Sequence, residues 1–146
     1  MMFSKSFGYA LRGILYLGMS DEAKPWIQLD EIAQELAVPR HFLGKVMKKL
    51  VKDGVLNSQK GPYGGFCTNE NTLKTSLLKL MEITGEVEEN GVCVLRLRKC
   101  NALNPCPMHH QIESLRRQWQ SLLASTFIGD LIRKDQPGFI NSIAAI

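Results

Sequence analysis

Three of the chain's four cysteines fall within one stretch, residues 92–111, VCVLRLRKCNALNPCPMHHQ. Six residues separate Cys93 from Cys100, and five separate Cys100 from Cys106. His109 lies three positions beyond Cys106, with His110 beside it. Asn104, Pro105 and Pro107 favour an irregular loop that can wrap. Three thiolates and an imidazole on such a loop are a competent ligand set for a soft metal centre. On spacing alone, three readings stay open. An iron–sulfur cluster needs thiolates and tolerates a histidine. Zinc takes three cysteines and a histidine tetrahedrally, although the close Cys-x2-Cys pair usual in zinc sites is missing. The third reading is metal-free: an oxidisable thiol set, or incidental cysteines. An enzyme is not expected. Cys106 with His109 or His110 has neither an orienting third group nor an oxyanion site on that loop.

The elements that must position this loop are legible on both sides. With 146 residues, 45% hydrophobic and 22% charged, the chain is one domain, or one domain with an appended helix. Residues 4–19 read as an amphipathic helix with Ser4 as N-cap and Phe7, Leu11, Ile14, Leu15 and Met19 on one face. Gly8, Gly13 and Gly18 suggest close packing along it. A second helix, residues 31–36, is capped by Asp30 and buries Ile32, Ala33 and Leu36. After a tight turn, Pro39 suits the first position of a third helix, which runs to about Asp53 and stops at Gly54. Its buried stripe is Leu43, Val46, Met47 and Leu50, and His41, Lys45, Lys48 and Lys52 oppose it. Two short helices around a tight turn, the second basic on its free face, match a helix-turn-helix.

Charge supports a nucleic-acid partner. The formal net charge is only +4, yet between residues 39 and 60 Arg40, Lys45, Lys48, Lys49, Lys52 and Lys60 face Asp53 alone. Residues 55–59 and 66–69 read as strands around the turn KGPYGG. A hairpin directly after a basic helix has the layout of a wing, with Lys60 at its tip. Cys67, on the return strand, reads as a small buried hydrophobe.

The helix PRHFLGKVMKKLVKDGVL and the wing KGPYGGF resemble the Rrf-two family of bacterial winged-helix regulators, the IscR, NsrR and RirA group. Lys60 and Phe66 stand where family members typically carry Arg and Tyr. The resemblance covers nearly the whole chain. It implies a mainly α fold with a small β-hairpin: a winged helix-turn-helix in residues 1–85, a cysteine-bearing loop in 86–107, and a dimerisation helix with a tail in 108–146. It also implies a dimer on palindromic double-stranded DNA. Arg40, His41, Lys45 and Lys48 would approach the major groove, and Lys60 and Tyr63 the backbone or minor groove. Gly44 stands where the IscR type has a base-reading Glu.

For the cysteines the resemblance implies an iron–sulfur cluster on Cys93, Cys100, Cys106 and His109, with one extra residue in the first gap. Where the NsrR type supplies a carboxylate to a [4Fe-4S] site, this chain has Gly8, which favours [2Fe-2S]. A structural zinc, or a small-molecule or protein effector without a cluster, is the alternative. Arg96, Arg98 and Lys99 would offset thiolate charge.

Four further expectations complete the reading. Residues 72–84 form one helix, with Leu77, Leu80, Met81 and Thr84 inward. Residues 86–91 are an acidic linker. Residues 108–127 form the longest helix, whose seam of Ile112, Leu115, Trp119, Leu122 and Thr126 is coiled-coil-like and faces a second copy. A short helix, 128–133, precedes an apolar tail. No export signal and no membrane span are expected, which points to a reducing cytoplasmic setting.

Overall fold

A computed structural model describes residues 3–20, 24–85 and 93–134. The expected linker and tail lie outside those residues.

Helix α1 (Lys5–Met19) is capped by Ser4, whose Oγ accepts the Phe7 N–H at 3.1 Å. It buries Phe7, Ala10, Ile14, Leu15 and Leu17. Gly18 lets it approach Ile132, whose side chain a Cβ there would meet at 2.5 Å. Helix α2 (Leu29–Leu36) buries Ile32, Ala33 and Leu36. It begins earlier than the sequence suggested: Gln28 is the N-cap and makes no side-chain cap bond. Asp30 therefore sits in the first turn, where a carboxylate favours the helix dipole. Arg12 donates to the Leu36 carbonyl at the other end.

The α2–α3 turn passes through Ala37 in the left-handed region, φ 52°. Helix α3 (Arg40–Lys52) follows, with Pro39 as N-cap rather than first helical residue. Leu43, Val46, Met47 and Leu50 are buried as expected, each such side chain worth about 1.5–3 kcal/mol. Gly54, at φ +79°, ends the helix.

Strands β1 (Leu56–Gln59) and β2 (Gly65–Thr68) pair antiparallel, from Leu56 opposite Thr68 to Gln59 opposite Gly65. Ile27 joins the wing by exchanging backbone hydrogen bonds with Phe66 at 3.0 and 2.8 Å. This close approach requires glycine at Gly65, where a Cβ would lie 2.2 Å from the Ile27 carbonyl oxygen.

The single helix expected over 72–84 is two helices, α4 (Glu70–Lys74) and α5 (Leu77–Ile83). The break has a tertiary cause. Leu77 N–H donates to the Thr126 carbonyl and Ile128 N–H to the Thr75 carbonyl, both at 2.9 Å. The backbone between α4 and α5 thus pairs with the junction of α6 (His109–Ser125) and α7 (Ile128–Arg133). Asn69 and Thr72 close a capping box, and the buried Thr72 hydroxyl also donates to the Val55 carbonyl.

The seam expected along residues 108–127 is divided. Leu123 is fully buried, and Trp119 is half-buried against the head, its ring 5.0 Å from that of Phe3. Leu115 and Leu122 point to solvent. Thr126 and Phe127 lie beyond the helix in extended backbone. Trp119 Nε1 is buried and meets no acceptor among the described residues.

Candidate metal centre and nucleic-acid interface

The cysteine loop is built from successive tight turns. Arg96 N–H donates to the Cys93 carbonyl (2.8 Å), Cys100 to Leu97 (3.4 Å), Asn104 to Asn101 (3.1 Å) and His109 to Cys106 (3.0 Å). Arg96 takes a left-handed φ of 58° to turn the chain. Asn101 Oδ1 accepts the N–H groups of Leu103 and Asn104 at 2.9 Å, and Asn104 Nδ2 donates to the Lys99 carbonyl at 3.1 Å. These turns bring the sulfurs of Cys93, Cys100 and Cys106 within 4.8 Å of one another. Cys93 and Cys106 are 3.8 Å apart, and Cys100 Sγ lies 3.2 Å from His109 Nδ1. His109 is the first residue of α6, so the fourth candidate ligand is rigidly part of that helix. His110 is exposed and its ring packs edge-on against His109 at 5.5 Å. A depression of about 390 Å³, lined in part by Arg98, Lys99, Cys100 and Cys106, opens beside the thiols.

The same turns aim backbone N–H groups at sulfur. That of Leu97, against some desolvation and with help from Leu95, brings the Cys93 thiol down to about 7. At Cys100 the Cys106 N–H also lowers the thiol, but desolvation and the neighbouring thiols outweigh it, and the net shift is upward. Thiolate is thus favoured first at Cys93 and resisted next door, as expected when like charges share a site. Cys67 is distant in chain and role: it lies half-buried on β2, and burial raises its thiol.

The donor set suits a thiophilic metal group. A tetrahedral metal about 2.3 Å from each sulfur sets two sulfurs roughly 3.8 Å apart. The Cys93–Cys106 pair has that spacing, and Cys100 with His109 forms a second, sulfur–nitrogen pair. N–H groups directed at sulfur are the usual means of tuning such centres. Sequence reasoning missed these supporting donors and the turn held by Asn101. The Asn-x-x-Asn spacing, with its capacity for a side-chain-closed turn, was the available signal.

On the head, His41, Lys45, Lys48, Lys49 and Lys52 are exposed along α3, and Lys60 and Tyr63 are exposed at the wing. Tyr63 keeps 89% of its surface accessible. Gln28 Nε2 braces the wing turn by donating to the Gly61 and Pro62 carbonyls at 3.1 Å. Two residues on α3 have surroundings that the sequence did not announce. Arg40 is paired with Asp30 of α2, so it carries a carboxylate with it on that face. Gly44 is buried, and a Cβ there would meet Leu29 at 3.2 Å. It is therefore not a groove-facing position.

A winged helix followed by a long helix, with the cysteine loop between them, narrows the kinship, and the family comparison decides it. The model of the Rrf2 family, described as iron-dependent transcriptional regulators, matches residues 3–134. The chain belongs to the Rrf2 family. An HTH-type transcriptional regulator of Aquifex aeolicus is 37% identical over 138 residues, covering 93% of this chain and 94% of the relative. The Escherichia coli regulator IscR is 22% identical over 130 residues, with coverages of 88% and 78%. Among solved structures, CymR, the global cysteine regulator of B. subtilis, superposes with a TM-score of 0.73 at 21% identity, covering 92% of this chain and 98% of that one. This Rrf2 protein is thus a winged-helix, DNA-binding transcription regulator and not an enzyme. Among its described residues no helix is long and apolar enough to cross a membrane.

Proposed function

We propose that this Rrf2 protein is a cytoplasmic homodimer whose affinity for a palindromic operator is set by an iron–sulfur cluster on Cys93, Cys100, Cys106 and His109. The observation that carries the reading is the convergence of three sulfurs within 4.8 Å, with His109 Nδ1 3.2 Å from Cys100. Kinship with IscR adds to it. When bound, a cluster supplies a centre sensitive to oxidation, nitric oxide and iron supply. The chain's own residues do the rest. Cys93 and Cys106 offer one ligand pair, and Cys100 with His109 the other. With Gly8 offering no carboxylate for a [4Fe-4S] group, these four residues would hold a [2Fe-2S] group.

His109 opens α6, and α6 meets the head through Trp119 and Leu123. A ligand bond at His109 would therefore act on the packing of α6 against the head. Leu115 and Leu122, 61% and 54% exposed on α6, are the residues for a partner helix. Two-fold related heads then present α3 to successive major grooves, with His41, Lys45 and Lys48 at the base edges and Arg40 released from Asp30. Lys60 and Tyr63 meet the sugar-phosphate backbone or minor groove.

The compactness of the three sulfurs favours one second reading, a single zinc ion held by the same residues. Anaerobic purification, a visible spectrum and metal analysis separate them. The cluster reading expects charge-transfer absorption with equal iron and acid-labile sulfide. Zinc alone, or no metal, overturns it.

A further inference from the structure

The thiol group has a second chemistry open to it that does not depend on a cluster. We propose that in the metal-free protein Cys93 and Cys106 are a redox pair, oxidised by peroxide to an intramolecular disulfide that leaves Cys100 reduced. Their sulfurs are 3.8 Å apart, thirteen positions along the chain, whereas the Cys100 sulfur is engaged by the His109 ring at 3.2 Å. A disulfide needs about 2.05 Å between sulfurs, so the pair must close by less than 2 Å. The turns at residues 93–96 and 101–104 are the segments that hold it at that range. Cys67, on the wing, is outside the group.

Exposure sets the order of events. Cys93 is half-exposed and meets the oxidant, while Cys106 is buried behind it. The Cys93 sulfur attacks one peroxide oxygen: an S–O bond forms, the O–O bond breaks, and water leaves. The Cys106 sulfur then attacks the sulfenic sulfur. The S–S bond forms, the S–O bond breaks, and a second water departs with the Cys106 thiol proton. Two electrons pass from the thiols to the peroxide, and both thiol protons end in water.

The consequence is a lock on the empty site. Two of the three thiolates are tied up, so the oxidised loop takes up no thiophilic metal until a dithiol reductant opens it. The bond also fastens residue 93 to Cys106, whose carbonyl accepts the His109 N–H at the start of α6.

The test uses wild-type protein, chelated and reduced, desalted without oxygen and treated with one equivalent of hydrogen peroxide. Alkylation followed by trypsin and chymotrypsin, which cuts after Leu103, places Cys100 and Cys106 on separate peptides. The expected result is a fall from four alkylatable thiols to two, Cys67 and Cys100, with the 93 and 106 peptides linked. Zinc uptake is lost with them and returns on addition of dithiothreitol. Cys100→Ser keeps the bond and Cys106→Ser loses it. A bond to Cys100, a bond between chains, or sulfinic acid at Cys93 with Cys106 alkylated overturns the proposal. Absence of an iron–sulfur spectrum leaves it standing, because the experiment starts from metal-free protein.

Discussion

Replacing Lys60 by alanine removes an exposed cation from the wing without disturbing a described contact. In a dimer it removes two, one per half-site. Each phosphate contact contributes about 0.9 to the slope of log affinity against log salt, so the slope falls by ~1.8. Between about 50 and about 200 mM salt, the wild type then loses roughly twelve-fold more affinity than the variant. Adding Lys45→Ala, at the base edges rather than on a phosphate, weakens binding at every salt concentration without a second fall of that size in the slope. Lys79→Ala is the control: that lysine lies on α5 and pairs with Glu82 at 3.8 Å, and it leaves the slope unchanged. Tyr63→Ala weakens binding at every salt concentration but keeps the slope, because it carries no charge. Fluorescence anisotropy with duplex DNA over a salt series reads all four. An unchanged slope for Lys60→Ala, or an equal fall for Lys79→Ala, refutes the assigned face.

Three predictions concern the scaffold. Gly65→Ala drives a Cβ to 2.2 Å from the Ile27 carbonyl at a φ of +129°, and costs about 1–3 kcal/mol in urea denaturation together with wing-dependent DNA affinity; unchanged values would contradict the Ile27–Phe66 pairing. Thr72→Val leaves the Val55 carbonyl and the Asn69 N–H without the hydroxyl they share, at a cost of about 1–3 kcal/mol on the same assay. Asp130 is held below the usual carboxylate range by the Phe127 N–H first, and then by Arg133. The folded form binds that proton less tightly than the unfolded form, so the contribution is full above about pH 3.9 and is lost as pH falls through the lower folded value. Asp130→Asn should therefore reduce stability at neutral pH, with the gap closing in acid; a gap independent of pH contradicts the assignment.

Much of the head was legible because local signals agreed with tertiary packing. The α3 stripe of Leu43, Val46, Met47 and Leu50 has helical spacing and a basic opposite face, and the Gly64-Gly65 pair marks a wing whose backbone needs the space. Where reading fell short, the deciding contact was distant in sequence. Near residue 75 the local signal is Ser76, which caps α5 by accepting the Lys79 N–H at 3.1 Å; the break is fixed by the bonds of Thr75 and Leu77 to Ile128 and Thr126. Periodicity on α6 identified apolar positions but not two separate faces. Trp119 and Leu123 turn inward and Leu115 and Leu122 outward, since a stripe spanning both can serve two partners. The inward turn of Gly44 and the Arg40–Asp30 pair likewise depend on how α2 lies against α3. The cysteines announced themselves by spacing, whereas the N–H groups that tune them belong to turns that only the folded loop defines.

The most direct measurement is the DNA affinity of anaerobically isolated protein before and after treatment with a chelator, beside Cys100→Ala treated identically. The account predicts that chelation changes wild-type affinity by at least about five-fold, the lower end of typical coupling between sites, and leaves Cys100→Ala unmoved. Equal wild-type affinities with and without the metal would contradict it.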